Sequence, residues 1–487
     1  MVDAGFVYRS ATELVELLAK GEVSAVELAE EAIARIERYD ATLNAVCVRD
    51  FDRALASARE ADAALARGEV RPLLGVPMTV KESYHVAGLP ITWGMPPFKD
   101  VVSETDAVAV ARVKAAGAVV LGKTNVPFGL GDMQSYNDIY GTTRNPWNPD
   151  RVPGGSSGGS AAALAAGYGA LSLGSDIGGS LRNPAHFCGI YAHKPTFGLL
   201  PGRGHTPPPV PVLPSERDLA VIGPMARTAA DLSLLLDLLA EPDELTLGAA
   251  YRLALPEARH ADLADHRVLV IDSHPLIPTS NSVRTAIDGF VDKLTGAGVK
   301  VARGSALLPD LAATGGLYLR MLLAALAAGF PPEVYENARA AAEGLDPDDR
   351  SLAAEARRGT VLSHRDWLHA DLERAVLRQR WRELFVEFDV VLCPVMPTPA
   401  FPHDQSDLDG RRINIDGTDH DYFNQVALAG VATLPGLPAT AFPVGSSEEG
   451  LPIGVQAIGP MYGDRTTIRF AELAEREFGG FTAPPLD

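Results

Sequence analysis

Residues 153–184 read PGGSSGGSAAALAAGYGALSLGSDIGGSLRNP, and they constrain the fold more than any other stretch of the chain. Five serines precede Gly179, a sixth stands at Ser180, and glycine flanks most of them. A flexible linker would be uniform in glycine and serine and would lack apolar structure. Here the first glycine turn runs into SAAALAA (160–166), which reads as a helix start with a small-residue face. ALSLGSD (170–176) then reads as a short buried strand, and Gly178 and Gly179 set off Ser180. Glycines so placed serve tight turns with positive φ and let backbone amides approach a ligand closely.

The surrounding sequence supplies an α/β frame. Ser10-Ala-Thr-Glu13 and Ser24-Ala-Val-Glu27 fit capping boxes, separated by Gly21, and a third helical pattern covers 51–67. GVPMTVKES (75–83) is a β-rich apolar run carrying Lys81 near its end. A helix over 106–117 and a strand over 118–125 follow. Residues 198–217 are rich in proline and glycine and read as an ordered surface loop. Beyond it the pattern gives a helix (227–240), a strand (266–272), a helix (280–295) and a strand (299–302). Helices are expected across 311–388, with strands at 389–394 and 436–445. There is no internal repeat and no dividing linker, so residues 1–487 are expected to form one large α/β domain. Within it, N-terminal helices occupy 10–67, a core occupies about 68–240 and 389–475, and a more variable helical portion lies at about 240–388.

Composition narrows the function. The net charge of −19 repels phosphate backbones, so no nucleic-acid partner is expected. No apolar run is long enough to span a membrane, and MVDAGFVYRS lacks the basic and apolar regions of a secretory leader. Cys47, Cys188 and Cys393 are too few and too scattered for a disulfide framework or a metal site. The expectation is a cytoplasmic enzyme with neither membrane anchor nor metal; a homodimer is compatible with it.

A serine nucleophile needs a base, because a free hydroxyl is hardly ionised at neutral pH. None of the eleven histidines sits in a recognisable nucleophile–base motif. His186, His193 and His205 read as structural or loop residues, His205 being the one placed to line a site. Lysine is the other option. Burying an ammonium is costly unless it is paired or loses its proton, and a lysine with a depressed pKa can act as a general base. On this run alone, Lys81 as a base and Lys81 as a strand-end lysine reaching water stand equal. GGSSG (154–158) also fits the G-x-S-x-G elbow of α/β-hydrolases, which would make Ser156 the nucleophile but leave Lys81 and the second Gly-Gly-Ser unexplained. A P-loop is excluded, since no Gly-Lys-Ser/Thr follows the glycines.

Lys81, GGSSGGSAAALAAG (154–167) and GSDIGGSLRNPAHFCG (174–189) together resemble the amidase signature family, with 75 residues from Lys81 to Ser156 and 24 from Ser156 to Ser180. GKTNVPFG (122–129), TRNPWN (143–148), KPTFG (194–198), GPMARTAADL (223–232) and LPIGVQAIG (451–459) are similar to family segments as well. The chain departs from the family at Glu82-Ser83, where Asp-Asn often follows the lysine. The resemblance implies a mixed, mostly parallel twisted sheet covered by helices on both faces, and amide hydrolysis that needs no cofactor. It implies Ser180 as nucleophile, Ser156 as a bridging serine after a cis peptide bond, and Lys81 as base. Amides of Ile177, Gly178, Gly179 and Ser180 would form the oxyanion hole. Asp176 and Arg182 would brace this turn by charge-assisted hydrogen bonds. Ser157 would hydrogen-bond within its loop, and Ser160 and Ser175 read as caps or packing residues.

The substrate is expected to be a small-molecule amide, with esters and carbamates open to the same chemistry. Segments 129–137, 198–217 and about 395–425 are the expected pocket, with Met133, Tyr136 and Phe423 as an apolar wall and His205 on the loop. Two rival readings are the glutaminase-type component of a tRNA amidotransferase and a catalytically silent binding protein on the same scaffold.

Overall fold

Alternation along the strands decides the layering. Val390 and Leu392 enter one apolar core, whereas their neighbours Val391 and Cys393 enter another. Val268 and Val270 divide from Leu269 in the same way. Successive side chains of a strand point to opposite faces, so these strands are buried on both sides. Helices covering both faces supply the burial.

The computed structural model describes residues 5–486. The first four residues of the stretch read above for a leader lie outside the described residues, as does residue 487. The strands are β1 (Val46–Arg49), β2 (Pro77–Lys81), β3 (Val119–Thr124), β4 (Tyr136–Asn137), β5 (Gly141–Thr142), β6 (Leu171–Asp176), β7 (Tyr191–Lys194), β8 (Val221–Ala226), β9 (Arg267–Val270), β10 (Lys300–Ala302), β11 (Val390–Pro394), β12 (Arg412–Ile415), β13 (Thr418–Asp421), β14 (Ala439–Ser446) and β15 (Pro452–Ile458). Eleven of them form one sheet in the order β1-β3-β2-β6-β8-β7-β14-β15-β11-β9-β10, while β4 with β5 and β12 with β13 form separate pairs. Parallel pairing holds on the two flanks, β3–β2–β6 and β11–β9–β10. From β6 to β11 the intervening strands pair antiparallel, as does the edge strand β1 with β3, so the sheet is mixed, as expected.

Both N-terminal capping boxes are formed, starting the helices Ala11–Lys20 and Ala25–Leu43. The region 311–388 resolves into four helices, Leu311–Ala327, Pro332–Glu343, Leu352–Thr360 and His364–Glu387. Residues 198–217 contain no helix or strand, in line with the proline content. Parallel pairing of Met78 with Leu171 and Val80 with Leu173 sets the carboxyl ends of β2 and β6 side by side. In sheets of this kind, ligands bind in the crevice outside the carboxyl ends of parallel strands.

Candidate active site

Lys81 is the last residue of β2, and Asp176 is the last residue of β6. The lysine is fully buried, and its Nζ donates to Ser156 Oγ at 2.7 Å and to Ser175 Oγ at 2.9 Å. Both partners are neutral hydroxyls. Burial therefore pushes the lysine down to about 7, against a partial opposing pull from the Asp176 carboxylate.

Ser156 is held from its backbone. The Gly155–Ser156 peptide is cis. Asn183 grips Gly155 twice: Oδ1 accepts from the Gly155 N–H at 3.0 Å, and Nδ2 donates to the Gly155 carbonyl at 2.6 Å. A Cβ on Gly155 would come within 2.4 Å of the Asp132 carbonyl oxygen and 2.5 Å of that of Gln134. The crossing of backbone 132–134 thus requires glycine here, independently of any substrate. Ser157 Oγ donates to the Ser175 carbonyl at 3.3 Å and accepts from the Ser175 N–H at 3.4 Å, tying this loop to β6.

The turn after β6 is built on one carboxylate. Asp176 Oδ1 accepts from the Gly179 N–H and Oδ2 from the Leu181 N–H, each at 3.0 Å. Arg182 meets the same carboxylate with two nitrogens, Nη2 on Oδ1 at 2.8 Å and Nε on Oδ2 at 3.0 Å. The arginine is itself fixed by the Ala429 carbonyl, Thr433 Oγ1 and Gln456 Oε1. Burial raises the Asp176 carboxyl, but Arg182, Lys194 and the Leu181 amide outweigh it and keep the group below the usual carboxylate range. Gly179 adopts φ +96°, which favours glycine. The expected set of four oxyanion donors is corrected at this residue, because its N–H is already committed to Asp176. The amides of Ile177, Gly178 and Ser180 donate to none of the described residues. Tyr318, from the helix Leu311–Ala327, donates its hydroxyl to the Ile177 carbonyl at 2.7 Å.

A small cavity of about 60 Å³ opens on Ser180, Gly155, Ile177 and Gly178. Its other walls are mostly apolar and include Leu130, Met133, Leu322, Leu326, Phe423 and Val426. Met133 and Phe423 thus face the cavity. Tyr136 and His205 do not line it. Tyr136 stands behind the wall, donating to Asp132 Oδ2 at 3.2 Å and accepting from Arg411 Nη2 at 3.0 Å. The lining carboxylate of Asp132 also takes Arg411 Nη1 at 2.7 Å and the Tyr422 hydroxyl at 2.6 Å. His205 packs between Tyr84 and Trp93 and meets Ser83 Oγ through Nε2 at 2.9 Å. Burial, and then the neighbouring Lys81, push its pKa far below the ordinary histidine range. The rest of the loop 198–217 is likewise absent from the cavity lining. His186 bridges the Gly454 and Thr398 backbone, and His193 bridges Thr440 and Asp464.

Glu82, the departure beside Lys81, accepts from the Thr92 N–H at 2.7 Å and the Trp93 N–H at 2.9 Å. It anchors a loop rather than the lysine. Sequence reading missed Ser175, Asn183, Tyr318, Arg411, Leu322 and Leu326. Ser175 offered a signal in its position beside Asp176 at a strand end. Asn183 offered one in its place within the segment 174–189, and the others act across long sequence separations and offered none. Among the described residues no cluster of His, Cys, Asp and Glu is placed to hold a metal ion, and no helix is long and apolar enough to cross a membrane.

A buried lysine on two hydroxyls, next to a serine on a turn with unpaired amides, has the parts that acyl transfer uses: a base, a nucleophile and donors for developing negative charge. Residues 27–468 match the Amidase family, and the chain belongs to it, the amidase signature enzymes, which hydrolyse amide C–N bonds. The chain is 35% identical to the A component of the glutamyl-tRNA(Gln) amidotransferase of Thermus thermophilus, over 95% of each chain. Its fold is similar to that of a bacterial aryl acylamidase of the amidase signature family, with TM-score 0.80 and 25% identity over 97% of this chain and 96% of that one. It is also similar to 6-aminohexanoate cyclic dimer hydrolase, with TM-score 0.75 and 25% identity over 97% of both chains.

Proposed function

We propose that the protein hydrolyses amides bearing an apolar group, through a covalent intermediate on Ser180. Lys81 in its neutral form accepts the proton of Ser156, which takes that of Ser180 as Ser180 Oγ attacks the amide carbon. The amides of Ile177, Gly178 and Ser180 donate to the oxygen as it becomes negative; one donor of this kind is worth ~2.7–4 kcal/mol. The proton returns through Ser156 to the leaving nitrogen, and water then resolves the acyl-enzyme. The single observation that carries this reading is the hydrogen bond from the buried Lys81 Nζ to Ser156 Oγ at 2.7 Å, with the pKa lowered to about 7.

Cavity chemistry supports the apolar group. Asp132 is the charged side chain in the lining, and its carboxylate is already engaged by Arg411, Tyr136 and Tyr422. A free glutamine would bring an ammonium and a carboxylate into this lining, both costly to bury unpaired. The similarity to amidotransferase components favours a second reading, a glutaminase-type chain that works with partner subunits.

A serine-directed fluorophosphonate, followed by peptide mapping, tests the mechanism. Ser180 is expected to carry the label, and Ser180→Ala to abolish it. Label on Ser156 would sink the assignment in favour of an elbow nucleophile. Turnover of aryl and alkyl amides is expected to exceed that of glutamine by at least two orders of magnitude for the isolated chain; the reverse order, or activity appearing only with a co-purified partner, would decide for the second reading.

A further inference from the structure

Leu368, Leu372 and Val376 lie on the solvent side of the helix His364–Glu387 and are 47%, 67% and 58% exposed. Steps of four residues place them on successive turns of one face. The opposite side sends Leu377, Trp381 and Leu384 into the core, so the helix packs onto the domain without the exposed three. A row of large apolar side chains left to water marks an interaction surface. Two charges close the ends of the same face. Arg365 stands seven residues before Leu372, and Glu383 seven residues after Val376, two helical turns outward in each direction. Arg365 makes no hydrogen bond or ion pair among the described residues, and Glu383 accepts from Gln379 Nε2 at 3.0 Å.

We propose that this face forms a homodimer interface, with the helix packed antiparallel against the same helix of a second copy of this chain. The order of residues is self-complementary about its midpoint. With Leu372 set against Val376 of the second copy, Arg365 falls opposite Glu383, and Leu368 meets the aliphatic stem of Arg380. A two-fold axis makes each contact twice. Parallel pairing in register would instead set Arg365 on Arg365 and Glu383 on Glu383, which costs energy. Opposite charges at equal distances from the centre become two ion pairs across a two-fold axis, and this self-complementarity points to a second copy. Two helices of 24 residues offer less area than the ~1,600 Å² of a standard interface, so the dimer is expected to dissociate on dilution and to weaken with salt.

Sedimentation equilibrium of the full chain over a concentration series tests the proposal, with Arg365→Glu, Glu383→Arg and the double variant alongside. A monomer–dimer equilibrium is expected for the parent chain. Either single reversal is expected to raise its dissociation constant at least about tenfold, and the double variant to restore it to within about threefold. All three changes are on an exposed face and are expected to leave the thermal transition in place, which separates lost association from lost fold. A parent chain that stays monomeric up to about 100 µM, in the weak-affinity range, would overturn the proposal. So would a dimer indifferent to the single reversals, or a double variant that stays dissociated.

Discussion

Asp132 and Arg411 form a buried ion pair in the wall of the cavity that opens on Ser180, with 2.7 Å between Oδ2 and Nη1. The pair joins two distant parts of the chain. Asp132 belongs to the segment that crosses over Gly155, and Arg411 precedes the β12–β13 hairpin and the wall residue Phe423. Removing one partner leaves an uncompensated charge in the wall. Arg411→Met is therefore expected to lower stability by ~3–5 kcal/mol in urea unfolding. Asp132→Leu combined with Arg411→Met is expected to recover more than half of that loss. A single variant within about 1 kcal/mol of the parent would show that water reaches the pair.

Activity is expected to rise with pH through an ionisation near 7. A lysine serves as base only in its neutral form, and burial holds Lys81 at about 7. The neutral fraction is small below that pH and nearly complete one to two pH units above it. The kcat/KM profile is therefore expected to climb between about pH 6 and 8 and then to level off. Lys81→Ala is expected to abolish most activity and to remove this limb from what remains. A limb that survives the substitution would assign the ionisation to another group.

Tyr318→Phe removes the hydroxyl that fixes the Ile177 carbonyl and leaves the ring in place. A hydrogen bond of this kind contributes ~0.5–1.5 kcal/mol, so kcat is expected to fall by about three- to tenfold. KM is expected to stay within about twofold, because the ring is fully buried and the cavity lining is formed by other side chains. A change confined to KM would place the tyrosine in substrate binding.

The wall is expected to set the size limit. Leu326 is partly buried, lines the cavity and packs only at the edge of the core. Leu326→Trp is expected to lower kcat/KM for long-chain or aryl amides by about tenfold or more, relative to small amides. Fluorophosphonate labelling of Ser180 is expected to proceed at the parent rate. Equal losses across all amides would show that the wall does not read the substrate.

Local motifs were legible in the sequence, and features built from distant segments were not. The pairing of the strand-end Lys81 with Ser156 followed from the family resemblance of their short motifs, since the apolar run around Lys81 alone left its role open. Both capping boxes were legible from the residues themselves, since Ser10 with Glu13 and Ser24 with Glu27 complete their bonds within a single turn. The loop 198–217 shows the limit. It lies close to Ser180 in sequence, yet His205 turns behind Lys81, where Ser83 and Trp93 hold it. The wall comes instead from residues 130–133, where Met133 was expected, and from residues beyond 320 and 420, where Phe423 was expected but Leu322 and Leu326 carry no chemical signature. Leucine and phenylalanine read as core wherever they occur, and only the fold separates a core face from a cavity face. The commitment of the Gly179 amide to Asp176 was hidden too, because sequence gives the number of amides in a turn and says nothing of which ones are already bonded.

Tyr318, Leu322 and Leu326 stand four residues apart, so one stripe of the helix Leu311–Ala327 runs from the turn at Ile177 to the cavity wall. The helix is a stiff rod between the two. On the proposed mechanism, a group too bulky for the wall would gain room by pushing the rod outward, and that push would draw the Tyr318 hydroxyl away from the Ile177 carbonyl. Oversized substrates would then meet a loosened set of amides at the moment when charge develops on their own carbonyl oxygen. Selection by size would in this way become selection by rate.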